Sequence, residues 1–473
     1  MVGSDEMNLY RSWRMYPLTY RAREMAQVAR WIAAGQSGSV IGLAGAGKSN
    51  FLGFLCHHPQ ALAQALAPYL AGEEIPVVPI PVDLNDLPAR SLDVFYRLIL
   101  RSFYEVRERF APPLQAVVTQ LFLENRGVRD PFLAQTALRE LFFQLRNRPV
   151  RTVLVMDRFD RFGRSAPTRI LDTLRGLRDS FKDTLVYLVG MRQEMTYLFA
   201  PDALGEMYEV LDTHICWVGP MADEDARRLV AEETRTADPP PDPSEVAALL
   251  TLTGGYPALL KAACHWWMSF SPSDSHRPPV GRWQEALLQE RATISRLEEM
   301  WAGLTQEERQ VLIELRRREQ PHRASAVMGI RKLEAKGICR PAPGGCGWAI
   351  FSPLLAGYIA GADLQGWGRI RFDEATDALY QGTERLKNLS PLERSVLEFL
   401  VRHPYVRHTK TDLIVGAWPD ELRRQGVSDD SLYQVIRELR KKIEPSPAHP
   451  SYIVTWRGRP EGGYRFFPEG RPE

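Results

Sequence analysis

The 473-residue chain contains no apolar run that approaches the ~18 residues needed to cross a bilayer. Residues 1–6 have neither the basic start nor the apolar centre of a secretion signal. These absences predict a cytoplasmic protein with no membrane partner. An excess of one charge is also missing, because 60 Lys and Arg face 58 Asp and Glu, for a net charge of +2. Any strongly charged binding surface must therefore be local.

Cysteine is scarce, and the 5 cysteines include no C-x-x-C pair and no histidine at metal-ligand spacing. This excludes a disulfide scaffold and predicts reduced, mostly buried thiols. The composition, with 44% hydrophobic and 25% charged residues, is that of an ordinary globular chain. At about 150 residues per domain, the length predicts about three domains.

Residues 42–49, Gly-Leu-Ala-Gly-Ala-Gly-Lys-Ser, fit the phosphate-binding pattern G-x-x-x-x-G-K-[ST]. Glycines let successive backbone N–H groups point at phosphates, Lys48 reaches the β and γ oxygens, and Ser49 offers a hydroxyl to Mg²⁺. An apolar segment precedes this loop and a helical stretch follows it, as a strand-loop-helix site requires. We predict that the chain binds a nucleoside triphosphate through Gly42, Gly45, Gly47, Lys48, Ser49 and Asn50.

The apolar run at residues 152–156 closes on Asp157, where phosphate-loop proteins place the carboxylate that orients Mg²⁺. Asp160 is a second candidate, for the attacking water or the metal shell. Arg158 stands where many ring-forming ATPases carry a catalytic glutamate, so we predict slow hydrolysis, which suits a switch better than a motor. The alternative is a polar strand end followed by a solvated turn.

Further β-type runs lie at residues 77–84, 184–190 and 214–219, with helical stretches between them. Prolines in the first run indicate an edge strand, and the uninterrupted apolar character of the second indicates a parallel strand covered on both faces. Arg192 follows the second run at the ligand-binding edge of the sheet, so we predict that it senses the γ-phosphate, with a surface salt bridge as the alternative. The alternation predicts an α/β P-loop NTPase domain with a parallel sheet at residues 1–222.

Four segments together resemble the signal-transducing P-loop ATPases of the STAND class, which includes NACHT, NB-ARC and KAP-like proteins. Residues 20–24, Tyr-Arg-Ala-Arg-Glu, resemble the Gly-Arg-Glu motif beside the adenine, with Ala22 in place of the glycine; this implies Arg23 as a nucleotide-binding residue. Residues 157–161 and Arg192 are similar to the spaced acidic motif and the sensor arginine. Residues 254–260 resemble the Gly-x-Pro motif, which implies that Pro257 contacts ADP; a plain helix start is the alternative.

The resemblance covers roughly residues 15–360 and implies a helical lid domain, at 223–298, behind the nucleotide. The order helix, strand, turn, strand after residue 327 predicts a winged helix at 299–362, which in this class packs on the ATPase core. A guanine-reading pattern occurs only at residues 409–412, far from the loop, and we interpret it as coincidence. The predicted cofactors are therefore ATP or ADP with Mg²⁺, the metal lying beside Ser49 and Asp157.

A DNA-binding domain is predicted near the C-terminus. Residues 430–444 form an amphipathic helix whose outer face carries Gln434, Arg437 and Lys441, with Arg440 beside them. A hairpin with Arg457 and Arg459 in its loop follows. Seven Lys or Arg face three Glu across residues 431–466, although the whole chain is nearly neutral. These six residues are the predicted DNA-binding set, and the alternative is a solvated basic helix that contacts a protein.

This segment, residues 366–473, resembles the OmpR-type winged-helix DNA-binding domain, with its initial small sheet, its recognition helix and the Gly-Tyr-Arg-Phe strand of its wing. Residues 460–462 lengthen the wing, and no receiver domain precedes it in this sequence. We predict a nucleotide-switched transcriptional regulator that binds double-stranded DNA and self-associates with ATP bound, in response to an unidentified signal or protein. The alternative is an ATPase of a defence or mobile-element system whose winged helices bind DNA nonspecifically or bind a protein partner.

Overall fold

The computed structural model describes residues 13, 16–70, 75–87, 91–163, 168–195, 207–270, 278–316, 324–342, 347–364, 368–374, 376–382, 384–418, 429–444, 447, 450–456, 458 and 462–470. The chain divides into two compact units. The first comprises residues 1–303 and 335–338, and the second comprises residues 304–334 and 339–473. The predicted boundary at residue 299 falls inside the helix Arg291–Ala302, which the first unit includes whole.

The first unit alternates helices and strands along most of its length. Its elements are α1 Ala22–Ala33, β1 Gly38–Ile41, α2 Lys48–His57, α3 Pro59–Leu66, β2 Val77–Asp83, α4 Leu92–Glu105, α5 Pro112–Asn125, α6 Pro131–Arg146, β3 Arg151–Asp157, α7 Phe159–Gly163, α8 Thr168–Ser180, β4 Leu185–Met191, α9 Met207–Asp212, β5 Ile215–Trp217, α10 Asp223–Glu233, α11 Pro243–Thr253, α12 Pro257–Met268, α13 Trp283–Leu287 and α14 Arg291–Ala302.

The five strands form one parallel sheet in the order β2-β3-β4-β1-β5. The proline-bearing strand β2 lies at the edge, as predicted, because proline cannot donate to a second neighbour. Every residue of β4 is buried, which confirms the central, doubly covered strand. β4 separates β1 from β3, so the phosphate-binding loop and Asp157 follow strands that do not pair. This architecture confirms the α/β P-loop fold.

The helical part of the first unit begins at α10. The proline-rich segment at residues 238–242 is a loop within it and leads to α11 through a capping box of Asp242 and Glu245. α11 ends at Thr253, the next residue, Gly254, has a φ of 62° that suits a glycine, and Pro257 then occupies the first turn of α12. The proline therefore starts the helix that follows the turn.

The second unit contains two groups of elements. They are α15 Gln306–Arg316, α16 Ala324–Ala335, β6 Cys339–Pro341, β7 Trp348–Ile350 and α17 Pro353–Leu364, followed by β8 Ile370–Asp373, β9 Ala378–Gln381, β10 Glu384–Arg385, α18 Pro391–Arg402, β11 Arg407–Thr409, α19 Lys410–Ala417, α20 Asp429–Ile443, β12 Ile453–Trp456 and β13 Gly463–Phe466. Strands β6 and β7 pair antiparallel, as the first winged helix requires. The turn predicted between them, at residues 343–345, lies outside the described residues.

The C-terminal group has the predicted winged-helix order. A three-stranded sheet β10-β9-β8 precedes α18, and a second sheet, β11-β13-β12, carries the hairpin that follows α20. Ser390 caps α18 and Thr409 caps α19, each in a capping box that fixes where the helix starts. The apolar face of α20 packs into one core with the other helices and both sheets of this group.

Four cysteines are free and buried, as predicted: Cys56, Cys216, Cys264 and Cys339. Burial raises the pKa of each thiol to about 12, because a thiolate is poorly solvated there. Cys346 lies outside the described residues. In the described part of the chain, no helix has the length and apolar character of a membrane span.

Candidate functional site

The phosphate-binding loop joins β1 to α2 and requires its glycines. Gly45 and Gly47 have φ values of 78° and 87°, in the left-handed region that glycine adopts without strain. A Cβ atom on Gly45 would lie 2.4 Å from the Cβ atom of Ala258, so a side chain there also has no space. The loop therefore has the backbone shape that the sequence motif predicts.

Lys48 opens α2 and lies among the predicted acidic and basic residues. Burial lowers the pKa of its ammonium group, while the carboxylates of Asp157 and Asp160 raise it and the charges of Arg192 and Arg158 lower it. These residues follow β1, β3 and β4 but meet at one edge of the sheet, because parallel strands present their carboxyl ends together. The fold thus brings the lysine, the two acids and the sensor candidate into one electrostatic neighbourhood.

Ser49 and Asp157 form the candidate magnesium pair. The Ser49 hydroxyl donates to Asp157 Oδ2 at 2.5 Å, and Asp157 Oδ1 accepts from the backbone N–H of Arg158 at 2.8 Å. Gly190 on the intervening strand β4 makes this approach possible, because a Cβ atom there would lie 2.5 Å from Asp157 Oδ1. The described residues contain no group of three His, Cys, Asp or Glu that could hold a metal. A hydroxyl and one carboxylate fit Mg²⁺, which takes its remaining ligands from phosphate and water.

Three other predicted residues differ in exposure. Asp160 is buried at the start of α7, with 6% of its surface exposed. Arg192 is exposed and forms no ion pair with another residue that the structure describes, and its role as a γ-phosphate sensor stays a prediction. Asn50 is exposed, and its amide donates to the Tyr16 hydroxyl at 3.4 Å.

The start of α12 contacts the loop directly. Ala258 N–H donates to Gly45 O at 3.1 Å, and the Tyr256 hydroxyl donates to Ala44 O at 2.8 Å. Pro257 Cγ lies 3.4 Å from the position that a Cβ atom on Gly47 would take. The structure thus places Pro257 at the loop, whereas its contact with ADP stays a prediction. Tyr256 is a functional candidate that sequence reasoning missed, since an aromatic residue before a proline carries no specific signal.

Arg21 is the second missed residue, and its side chain contacts the phosphate-binding loop directly. Arg23 is exposed on α1, and its predicted role stays a prediction. Arg21 is 2% exposed and donates to the carbonyl oxygens of Ala46 and Gly219, each at 2.9 Å. The available signal was the spacing Arg21-x-x-Glu24, because the two side chains form an ion pair at 2.9 Å.

Helix α20 presents the predicted outer face. Gln434, Arg437 and Lys441 are exposed, and the stripe of four buried residues on the opposite face comprises Leu432, Ile436, Leu439 and Ile443. Arg437 and Lys441 line a cavity of about 290 Å³ together with Tyr433, Ile436, Arg440 and Pro447. Cationic and amide side chains on one exposed helix face can reach phosphates and base edges in a major groove.

Arg440 differs from the rest of the predicted DNA-binding set. Its guanidinium donates to Ile453 O at 2.6 Å and to Thr455 Oγ1 at 2.9 Å. Burial lowers the pKa of this group. Arg440 therefore joins α20 to β12, and its contact with DNA stays a prediction. Arg457 and Arg459, predicted in the hairpin loop, lie outside the described residues.

A further set of contacts holds α20 in place. Lys442 Nζ lies 2.6 Å from Glu393 Oε2 on α18. The Glu444 carboxylate accepts the backbone N–H groups of Tyr452 at 3.0 Å and Ile453 at 2.7 Å. Lys441 forms a surface pair with Glu438 at 2.6 Å. The basic residues near the end of α20 thus divide into anchors and exposed cations.

Comparison with known proteins identifies the C-terminal segment. Residues 383–466 match the family "Transcriptional regulatory protein, C terminal". The alkaline phosphatase synthesis transcriptional regulatory protein SphR of Synechococcus elongatus is 37% identical over 83 residues, which are 17% of this chain and 30% of that protein. The transcriptional regulatory protein YvrH of Bacillus subtilis is 38% identical over 74 residues, 15% of this chain and 28% of that protein. The chain thus carries an OmpR-type winged-helix domain and spans less than a third of these relatives.

Two solved ATPase structures align with this chain at low similarity. A Walker-type ATPase of Pyrococcus abyssi aligns with a TM-score of 0.39 and 14% identity, covering 74% of this chain and 99% of that one. A signal-transduction ATPase with numerous domains (STAND) and a tetratricopeptide repeat sensor, from Pyrococcus horikoshii, aligns with a TM-score of 0.29 and 14% identity, covering 89% and 53%. At these scores the P-loop fold rests on the sheet order and loop geometry described above.

Proposed function

We propose that this protein is an ATP/ADP-switched, STAND-class transcriptional regulator that binds double-stranded DNA through its C-terminal winged helix. The observation that carries the proposal is the combination, in one chain, of the Ser49–Asp157 pair beside a phosphate-binding loop and a regulator-type domain with an exposed cationic helix face. ADP holds the protein in its resting state. ATP and an unidentified signal promote self-association and DNA binding.

The loop residues support the nucleotide part of the proposal. Loop N–H groups and Lys48 would hold the phosphates, Ser49 and Asp157 would hold Mg²⁺, and Arg192 would respond to the γ-phosphate. Bound Mg²⁺ supplies charge neutralisation for the phosphates. Arg158 follows Asp157 with a φ of 56° and an exposed side chain, and an arginine cannot act as the general base. Slow hydrolysis and a long-lived bound state follow.

The outer face of α20 supports the DNA part of the proposal. Arg437 and Gln434 have the donor geometry that reads guanine and adenine edges, and Lys441 provides a phosphate contact. The anchors Arg440, Lys442 and Glu444 keep this face outward by tying the helix to its own domain. Such a fixed helix loses little entropy when it enters a groove.

Band-shift titration of the full-length protein on the DNA upstream of its own gene, with ATP or ADP, tests the proposal. We expect sequence-dependent binding that weakens with salt, is stronger with ATP, and falls about fivefold to hundredfold in Arg437→Ala. Arg402→Ala is the matched control, because Arg402 is an exposed arginine paired with Glu398 on α18. Binding that is independent of sequence and nucleotide would overturn the proposal and favour the nonspecific ATPase alternative.

A further inference from the structure

A buried arginine with an unusual backbone lies beneath the nucleotide loop. Arg21 has a φ of 52°, a left-handed conformation that residues other than glycine seldom adopt, and 2% of its surface is exposed. Such a conformation persists only where surrounding contacts hold it. Arg21 is not among the residues that would hold the phosphates or Mg²⁺ in the proposed function.

Its guanidinium group reaches the phosphate-binding loop. Arg21 Nη2 donates to Ala46 O at 2.9 Å and lies 3.5 Å from the position of a Cβ atom on Gly47. The Ala46 carbonyl and the Gly47 N–H belong to one planar trans peptide, so they point in opposite directions. Arg21 therefore directs the Gly47 N–H away from the guanidinium, and the orientation of such amides decides whether the loop binds phosphate.

The same side chain is tied to the connection between β5 and α10. It donates to Gly219 O at 2.9 Å and to Pro220 O at 3.1 Å, and Glu24 on α1 accepts its fourth side-chain bond at 2.9 Å. Its backbone N–H donates to Asp225 Oδ2, in the first turn of α10, at 3.0 Å. The position of the guanidinium is thus set from outside the loop.

We propose that Arg21 is a positioning residue for nucleotide: it holds the Ala46–Gly47 peptide in the phosphate-binding orientation and links that orientation to the start of the helical part. The inference rests on the proposed binding of ATP or ADP. Arginine suits the position better than lysine, because its two terminal nitrogens donate to four fixed acceptors, whereas lysine offers a single nitrogen. Replacement of Arg21 should therefore lower the affinity for nucleotide phosphates, and not only the stability of the fold.

Calorimetric titration of the full-length protein with MgADP tests this inference. Arg21→Gly removes the guanidinium while it permits the left-handed backbone. We expect its Kd to rise about tenfold to hundredfold, as for the loss of charged hydrogen bonds, and Arg21→Lys to recover part of the affinity. Arg30→Ala, at an exposed arginine on α1, the helix that Arg21 precedes, is the matched control and should stay within about twofold.

Each variant is first melted without ligand, and its Kd is measured at a temperature where it is folded. A lower melting temperature with an unchanged Kd would mean a purely structural arginine and would overturn the inference. If the Arg21 variants do not fold, Glu24→Gln and Asp225→Asn loosen the same side chain and turn, and each should raise the Kd about twofold to tenfold. No change in either would also overturn it.

The same titrations give a different result if the proposed nucleotide binding itself is wrong. A wild-type protein without affinity for MgADP, or one whose affinity survives Lys48→Ala, would contradict nucleotide binding at this loop and remove the premise. Wild-type binding that is lost in Lys48→Ala but unchanged in both Arg21→Gly and Arg21→Lys would leave the proposed function intact and reject the positioning role alone.

Discussion

The nucleotide site draws its residues from distant parts of the chain, whereas the proposed DNA-reading face lies on one helix. Ser49 meets Asp157 across Gly190, and Tyr256 meets Ala44, so the first site exists only when several strands and helices have assembled. Gln434, Arg437 and Lys441 share one face of α20 through helix periodicity alone. Local spacing therefore describes the second site well and the first one incompletely.

The two sites also share a feature, namely a buried or half-buried arginine that donates to backbone carbonyls. Arg21 does so beneath the phosphate-binding loop and Arg440 at strand β12. In each case an arginine, a residue type that often contacts ligands, instead donates hydrogen bonds to the backbone that supports the site. The direction in which the guanidinium group points must therefore be known before a ligand contact is assigned to an arginine near a binding site.

The largest effect expected in this comparison is that of Lys48→Ala. Loss of the half-buried ammonium group should weaken MgATP and MgADP binding about a hundredfold, because a charged group beside the phosphates is removed. Calorimetric titration measures the change, with Lys182→Ala as the exposed control. DNA binding without nucleotide should remain, and its loss would show that the two sites are not separable.

Gly190→Ala tests the nonlocal assembly of the first site. The new Cβ atom would lie 2.5 Å from Asp157 Oδ1 and 2.7 Å from Leu52 Cδ1, so Asp157 must move away from Ser49. We expect about tenfold weaker magnesium-dependent nucleotide binding and about 1–3 kcal/mol less stability, typical of overpacking. Gly176→Ala, where a Cβ atom meets nothing within 4 Å, is the control. Unchanged magnesium dependence would argue against the Ser49–Asp157 metal pair.

Arg440→Met tests whether the second site has an anchor separate from its reading face. The change should lower the free energy of unfolding of the C-terminal domain by about 1.5–3 kcal/mol, since two acceptors on β12 lose a charged donor. Arg437→Ala should leave that stability within about 0.5 kcal/mol, because Arg437 is exposed. Thermal melting monitored by circular dichroism measures the stability of both variants. Equal losses of stability would contradict the division into an anchoring Arg440 and an exposed Arg437.

The smallest expected effect concerns pH. Burial tends to raise the pKa of Glu393, but the hydrogen bonds from Lys442 and Ser390 outweigh it and lower the pKa below 4.5. The ionised carboxylate thus stabilises the folded domain above pH 4.5, and the contribution is lost as the pH falls through the lowered pKa. Glu393→Gln should cost about 1–2 kcal/mol at neutral pH and flatten the acid side of the stability curve. An unaltered acid limb in pH-dependent melting would refute this assignment.

Sequence reasoning predicted the phosphate-binding loop, the edge position of β2, the central strand β4 and the outer face of α20. All of these follow from local patterns of a few residues. It missed Arg21 and Tyr256, and it did not foresee that Arg440 turns toward β12. Each of these depends on contacts between residues that are distant in the chain or on opposite sides of a turn.

The amino-acid sequence by itself determined which elements form and which helix face is cationic, because glycine, proline, capping residues and apolar periodicity act over one or two turns. Tertiary structure alone decided what supports the loop. The strand order inserts β4 between β1 and β3, Gly190 leaves space for Asp157 to reach Ser49, and a left-handed backbone at Arg21 aims its guanidinium at Ala46. Those outcomes depend on how the parallel strands are ordered and packed, which local spacing does not specify.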